Sequence, residues 1–427
     1  MSLSEPVAPP GFLRNRYRWL ICGLLFCATA INYIDRQTVS VLKPLLQQDF
    51  DWSEVDYGDI VFVFQAAYAA SYLFFGRLID RLGARMGYAT AIGLWTLAHI
   101  GHALARNLGG FMIARAALGI GEGGNFPAGL KAVSEWFPRS ERAFAVGLFN
   151  AGANVGAIIT PLLVPAVTLA WGWRAAFVVT GLFSVVWVLV WLKVYRRPEE
   201  TPAVTAEELA IIRAEPMETP RPVPWRILLT KREAWAYAAG RFLIDPVWWM
   251  FLFWLPDFFA KRHGLDLKNF GVPLAIVYIL SDLGSIGGGY LSSFLIKRGS
   301  SVNNARKTAM LISALAVLPI VAGAFVDNLW MAVAIVGLAT AAHQSFSCNL
   351  YTLPSDLFPR HAVGSVAGFG GAAGAVGGML MAKYAGWVLD SIGSYTPIFA
   401  VSASAYLLAL LIIHILSPRY EPARLDD

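Results

Sequence analysis

The chain has 427 residues, 57% of them apolar and only 15% charged, with a mean hydropathy of +0.55. That balance excludes a set of soluble domains and points to a membrane protein with many spans. The net charge of +6 does not signal nucleic acid, because the basic residues follow membrane topology, and Cys22, Cys27 and Cys348 lie in apolar segments without disulfide or metal spacing.

The N-terminal stretch SEPVAPPGFLRNRYRW puts basic residues ahead of an apolar run. The run is too long for a cleaved signal and many more spans follow, so it reads as a retained first helix. A helix needs about 20 apolar residues to cross ~30 Å of hydrocarbon. Such segments run over 18–46, 58–78, 87–104, 109–136, 142–166, 174–195, 234–258, 270–296, 308–325, 329–354, 361–388 and 396–416. These predict an all-α membrane protein of twelve spans. The polar stretch 196–232, containing EELAIIRAE, predicts a linker with one short amphipathic helix. The expected organisation is a first half over 1–195, the linker, a second half over 233–418 and a tail over 419–427. Of the 34 Lys and Arg residues, the loops on one side hold only Arg106, Arg174, Lys261, Arg262 and Lys268. By the positive-inside rule that side is outer, and both termini are cytoplasmic.

Span 1 carries INYIDRQTVSVLK, with Asp35 and Arg36 deep in an apolar segment. A charge at a helix centre costs about 2.5–3.5 kcal/mol on insertion scales, so survivors usually pair or face a cavity. Adjacent residues lie about 100° apart on a helix, so Asp35 and Arg36 are expected to have separate partners. An arginine there can hold a carboxylate bidentately, and an acid there can exchange a proton. Lys43, two turns on, is placed near the outer mouth as a snorkelling group.

Between spans 2 and 3 comes GRLIDRLGAR, with Gly76, Asp80, Arg81, Gly83 and Arg85. It resembles the signature loop of the major facilitator superfamily, which implies a glycine for close helix contact and charges pairing across a cytoplasmic gate. The counterpart after span 8, GGYLSSFLIKRG, is degraded.

On span 4, RAALGIGEGGNFP sets Arg115 and Glu122 on nearly one face about 10 Å apart in height. Glu122 among glycines reads as a proton carrier, with a permanent ion pair as the other reading. The embedded G-x-G-x-x-G follows no strand, so a dinucleotide site is excluded and close helix packing is expected. Lys131 and Glu135 are expected to pair near the cytoplasmic end. EWFPR at 135–139 recurs as DLFPR at 356–360, an offset that also carries Gly147 onto Gly368 and Gly156 onto Gly377. This predicts two parallel repeats about an axis along the membrane normal. The same offset sets His343 opposite Glu122.

On span 7, Arg241 either pairs with Asp245 or faces a ligand, beside Trp248 and Trp249. Asp282, His343 and Gln344 are expected in satisfied structural networks. Tyr33, Tyr68 and Tyr351 are aromatic groups suited to a sugar face. The excess of central cations points to an anionic solute. Its entry against an inside-negative potential, ~2.3 kcal/mol per charge per 100 mV, would be offset by proton coupling.

NYIDR, GRLIDRLGAR and RAALGIGEGGNFPAGLKAVSEWFPRSERAFAVGLFNAGANVG together resemble the anion:cation symporter family of the major facilitator superfamily. RFLIDPVWWMFLFWLP and AAHQSFSCNLYTLPSDLF look similar to bacterial hexuronate transporters. The resemblance implies uptake of galacturonate or glucuronate with protons by alternating access, by a multi-pass inner-membrane monomer. It assigns the carboxylate to Arg36, the sugar to Tyr33 and Tyr68, proton exchange to Asp35 and Glu122, and pairing with those acids to Arg115. Arg241 stands where relatives have glutamine and implies a second cation near the ligand. Asn150 and Asn154 are the polar groups nearest Ala153, a position polar in relatives. Trp249 and Tyr351 complete the expected substrate set. No cofactor beyond the proton, no metal and no catalytic group is expected. A sensor would need a soluble domain, a channel fits poorly with two repeats, and an enzyme would need a cluster that the sequence lacks. Another sugar acid, such as an aldonate or glucarate, is the alternative cargo.

Overall fold

The computed structural model describes residues 16–214, 225–421 and 423; the N-terminal residues 1–15, the linker residues 215–224 and the tail residues 422 and 424–427 discussed above lie outside them. Among the described residues the chain is helical and without strands. The helices are α1 (Tyr17–Phe50), α2 (Glu54–Gly101), α3 (Leu108–Glu122), α4 (Asn125–Trp136), α5 (Arg139–Trp171), α6 (Trp173–Val194), α7 (Ala206–Ile212), α8 (Trp225–Leu228), α9 (Arg232–His263), α10 (Gly271–Lys297), α11 (Val302–Val317), α12 (Ile320–Gly323), α13 (Leu329–Leu350), α14 (Leu353–Leu357), α15 (Arg360–Ser391) and α16 (Thr396–Leu416). Nine described helices are long and apolar enough to cross a membrane, or up to ten with the bent pair Glu54–Ser71 and Phe74–Leu104. Leu97, Ile113, Leu189 and Ile286 are among the large apolar side chains exposed on the bundle. Such a surface suits lipid rather than water.

A straight helix of the 48 residues in α2 would run about 72 Å, far beyond the hydrocarbon thickness. The chain turns back at Gly83, whose φ of 73° and ψ of 168° suit glycine alone. A Cβ on Gly87 would lie 3.1 Å from the Cα of Ile79, a distance that an unbroken helix does not permit. Next, α3 and α4 are separated by a turn at Gly123–Gly124. Lys131 and Glu135 both lie on α4, after this break, yet each takes a partner from outside α4. Lys131 lies 3.7 Å from Asp80, and Tyr195 donates to Glu135 at 2.8 Å, so the expected Lys131–Glu135 pair is replaced by contacts to other helices.

The FPR repeat is the same structure twice. Pro138 caps α5 with φ −63° and ψ 155°, and Pro359 caps α15 with φ −63° and ψ 152°. Each proline fixes φ, and its missing N–H costs nothing at a helix start. One turn pattern further, Gly156 of α5 and Gly377 of α15 each allow a backbone crossing. A Cβ would fall 2.3 Å from Ala30 O of α1 in the first case and 2.3 Å from Phe242 O of α9 in the second. The pairs α5–α1 and α15–α9 are therefore equivalent in the two parts of the chain.

We call the end of the bundle where α1 begins the near end and the other the far end. The linker is tied down at the near end. Glu208 of α7 is buried and accepts the backbone N–H groups of Tyr17 and Arg18 at 3.1 and 3.0 Å, so a carboxylate caps α1. The motif loop lies at the same end. Arg85 donates to Leu192 O, while Asp80 and Arg81 are exposed. A Cβ on Gly76 would meet nothing within 4 Å, so this glycine makes no close helix contact. The expected charge pairing across a gate is absent among the described residues, because Asp80 and Arg85 are bonded to helices of their own half.

The two parts of the chain meet at the far end instead. Lys43 of α1 is fully buried, 2.6 Å from Glu54 and 2.8 Å from Asp257 of α9. Lys261 pairs with both of these acids, Tyr395 donates to Asp257, and the Lys43 ammonium lies over the Tyr57 ring. Lys383 of α15 also pairs with Asp59 of α2. Lys43 is thus no snorkelling residue: the second half covers it, and two cations and two carboxylates make a neutral latch. Removing one member of a buried pair costs about 3–5 kcal/mol because the partner is left uncompensated. Lys43→Met is expected to lower the melting temperature of the detergent-purified protein clearly. Adding Asp257→Leu should restore much of the loss, and equal melting temperatures for the wild type and both variants would rule out this latch.

Candidate substrate and proton site

The core of the site is Arg36, halfway along α1. Its Nε donates to Glu122 Oε2 at 2.9 Å, its Nη2 lies 2.8 Å from the same oxygen, and Nη2 also donates to Asn32 Oδ1 at 3.1 Å. Both charged side chains are buried. Four rings surround the guanidinium: Tyr33 at 4.8 Å, Tyr68 and Trp249 at 5.1 Å, and Phe64 at 5.5 Å. Aromatic faces favour a cation, and a guanidinium stacks on them while leaving its in-plane donors free for an anion. Trp249 comes from α9, so the cage is closed by the second half of the chain.

Glycines make this approach possible. A Cβ on Gly119 of α3 would sit 2.4 Å from Phe64 O, and one on Gly121 would sit 2.5 Å from the backbone N of Trp95. The expected packing role of these glycines is met. They bring Glu122 close enough to reach Arg36. Glu122 Oε1 has no partner, so the carboxylate is only half used.

Asp35 points elsewhere, as the angular step along α1 requires. Its Oδ2 accepts from Ser184 of α6 at 3.2 Å, and Oδ1 lies 3.2 Å from His99 Nε2. Arg115 is fully buried between Phe64 and Phe253. Its Nη2 donates to Arg36 O at 2.9 Å, and its Nε and Nη1 have no partner. In this state it pairs with neither Asp35 nor Glu122; it ties α3, which carries Glu122, to the backbone of α1 beside Asp35.

Arg241 forms a second cluster. It pairs with Asp245 at 2.6 Å, donates to Tyr237 Oη at 3.0 Å and lies over Tyr351 at 4.6 Å, while Tyr351 donates to Asp245 at 3.3 Å. Arg241 lies on α9 two turns before Trp249, the residue that closes the first cluster. Asn150 and Asn154 take no part in either cluster. They lie on the α5 face that also carries Pro161, whose carbonyl faces Gly271 of α10 at the far end, and both are at least partly exposed. His343 does sit in a structural network, bonded to Tyr406 at 2.7 Å and stacked on Trp248. Asp282 does not, since its buried Oδ1 is unpartnered.

Gln65 is a group that sequence reading passes over. It lies on α2 beside Phe64 and is 2% exposed, with neither amide atom bonded. A Cβ on Gly378 of α15 would lie 2.8 Å from its Oε1 and 2.9 Å from Trp249 Cδ1. Its amide is therefore wedged between the halves next to the Arg36 cage. Nearby, Gln37 donates to Tyr278 Oη of α10 at 2.9 Å, and its Oε1 is unpartnered.

The fold and this site define a transporter class. The chain belongs to the Major Facilitator Superfamily, whose model matches residues 25–382. It is 35% identical over 403 residues to the hexuronate transporter of Escherichia coli (strain K12), covering 93% of each chain. It is also 35% identical over 337 residues to the galacturonate transporter of Dickeya chrysanthemi, covering 78% of this chain and 94% of that one. Among solved structures, a D-xylose–proton symporter matches with a TM-score of 0.71 at 15% identity, covering 93% of this chain and 97% of that one, which shows the fold. The protein is a multi-pass membrane transporter of hexuronate-transporter type and not an enzyme.

An unbonded buried amide costs about 1–3 kcal/mol, and an apolar replacement of similar shape removes that cost. Gln65→Leu is expected to keep or raise the melting temperature while weakening substrate binding by roughly tenfold, about 1.4 kcal/mol. Titration calorimetry and thermal melts on the same preparation check both parts. A lower melting temperature with unchanged affinity would make Gln65 a packing residue.

Proposed function

We propose that the protein imports hexuronates, galacturonate and glucuronate, with protons across the inner membrane by alternating access. On this reading the chain has twelve spans. The nine long helices supply nine, the arms of α2 on either side of Gly83 supply two, and α3 with α4 supplies one. Residues 1–195 and 233–418 are the two halves. The near end faces the cytoplasm, where both termini lie, and the far-end latch closes the outer side.

The observation that carries the reading is the half-used Arg36–Glu122 pair inside a cage built from both halves. Arg36 has one carboxylate partner, and a substrate carboxylate fits the same donors. A proton on Glu122 removes its claim on Arg36, so proton binding and substrate binding favour each other. Substrate leaving toward the cytoplasm lets Arg36 return to Glu122, which then gives up its proton. Tyr33, Tyr68 and Trp249 offer ring faces and polar edges to the sugar, and Gln65 an amide. Asp35 is the second proton-exchanging acid, and Arg115 holds the segment of α1 that carries Asp35 and Arg36.

The relatives support a sugar acid but leave its kind open. One is named D-galactonate transporter and is 28% identical over 425 residues, covering 96% of this chain and 97% of that one. A monocarboxylate suits the site better than a dicarboxylate, because Asp245 already neutralises Arg241.

Proteoliposomes with an inward proton gradient should accumulate labelled galacturonate or glucuronate faster than galactonate or glucarate. Uptake of the hexuronates that ignores the gradient would sink the proton-symport reading, and a preference for galactonate would replace the substrate. Glu122→Gln is expected to cut gradient-driven uptake by at least roughly tenfold while counterflow exchange stays measurable, and Arg36→Ala to abolish both. Equal loss of uptake and exchange in Glu122→Gln would make Glu122 a structural acid.

A further inference from the structure

Two histidines, His99 near the end of α2 and His102 in the 3-10 turn that follows it, lie outside the Arg36 cluster yet run from it toward the far end. His99 and His102 are fully buried, with ring centroids 6.1 Å apart, and the exposed turn at Arg106 and Asn107 is only a few residues beyond His102. They climb beside α6 in step. His102 stacks on Phe177 at 5.0 Å, His99 Nε2 lies 2.7 Å from Thr180 Oγ1, and Ser184 Oγ donates to Asp35.

Their hydrogen bonds fix both tautomers. Thr180 spends its hydroxyl hydrogen on Ala176 O at 2.7 Å, so it accepts from His99, whose Nε2 is the protonated nitrogen. His102 Nδ1 faces two carbonyls, Ala98 O at 2.9 Å and His99 O at 3.2 Å, so Nδ1 carries its hydrogen. Nδ1 of His99 and Nε2 of His102 are therefore bare acceptors, and neither has a partner. Asp35 Oδ1 is a third unpartnered acceptor, 3.2 Å from His99 Nε2 but off the N–H axis that aims at Thr180. Three buried, unpartnered acceptors on neighbouring side chains, each costly when unpaired, describe a water-assisted path for a proton better than a packed core.

We propose that His102 and His99 conduct protons from the far end to Asp35. The inference rests on the proton-symport reading above. His102 takes a proton at Nε2 and passes it to His99 Nδ1 through a bridging water, which gives up one proton as it receives another, and so returns to its neutral form. His99 becomes an imidazolium, and its Nε2–H bond breaks as an O–H bond forms on Asp35 Oδ1. That leaves a neutral imidazole protonated at Nδ1 and a neutral carboxylic acid, and water that takes the Nδ1 proton and returns one to Nε2 restores the first tautomer. The charged groups that bear on this ladder are Asp35 from α1 and Arg115 and Glu122 from α3. From α6 it meets the hydroxyls of Thr180 and Ser184 and the Phe177 ring. Arg115 opposes a lasting imidazolium and so favours passing the proton on to Asp35.

The test uses full-length protein in liposomes with galacturonate as the probe. It measures gradient-driven accumulation, counterflow exchange without a gradient, and substrate-induced proton uptake with an internal pH dye. His102→Phe keeps a ring on Phe177 but cannot relay. His99→Gln keeps a donor for Thr180 but cannot relay. Each is expected to lower the ratio of accumulation to exchange by roughly tenfold or more and to slow proton uptake in step. A ratio within about twofold of the wild type in both variants overturns the path. So does a parallel loss of accumulation and exchange with a lowered melting temperature, which would make the histidines structural. Wild-type protein that moves substrate without moving protons overturns the symport reading and the path together. Wild-type protein that moves both, with variants that match it, overturns the path alone.

Discussion

The buried pair of Arg36 and Glu122 is the constraint around which the first half of the chain is arranged. Taking two charges out of water costs several kcal/mol each, and only good geometry with further bonds repays it. The geometry is good on the arginine side, with Nε, Nη2 and four rings engaged, and incomplete on the acid side, where Oε1 is idle. Building that pair demands that α1, α2, α3 and α5 come within backbone contact. Small residues supply the contact: Gly119 against Phe64, Gly121 against Trp95, and Gly156 against Ala30 and Tyr33. In a membrane, where burial of apolar area gives little drive for helix association, such close packing is a main source of cohesion. The charge pair and the glycines are one design.

Much of this is legible along the chain, because hydropathy and charge placement are local properties. The helical spans, the separation of Asp35 from Arg36 and the packing role of the glycines on α3 all follow from counting residues around a helix. The FPR repeat carries over to matched cap angles at Pro138 and Pro359 because a proline cap acts on its own backbone. What escapes is whatever depends on the partner helix. Lys43 looks like a snorkelling lysine until α9 and α16 cover it with Asp257 and Tyr395. Lys131 and Glu135 look like a helix pair until neighbouring elements offer Asp80 to the one and Tyr195 to the other. Gln65, His99 and His102 are single polar residues in apolar helices with no neighbour in sequence to mark them. The charge cost of burial is the signal that would have flagged them, applied to neutral polar groups as strictly as to ions.

The far-end latch and the central site share elements, and this ties closure to binding. Lys43 lies two turns along α1 from Arg36, and Asp257 two turns along α9 from Trp249. α1 and α9 thus touch both at the latch and at the cage. On the alternating-access reading, opening the far end would separate Lys43 from Asp257 and move Trp249 and Gly378 away from Arg36 and Gln65. The latch is neutral as a whole, with two lysines facing two carboxylates, so each half carries a lysine with an acid of its own: Lys43 with Glu54, Lys261 with Asp257. Parting them leaves two compensated pairs instead of four bare charges. The central site shares this provision only in part. Arg36 keeps Glu122 within its own half, and Gln65 has no partner in its half at all. The energy that distinguishes the open from the closed far end therefore resides less in the latch than in the cage. There a substrate with a carboxylate for Arg36 and hydroxyls for Gln65 can take the place of contacts that the halves make with each other.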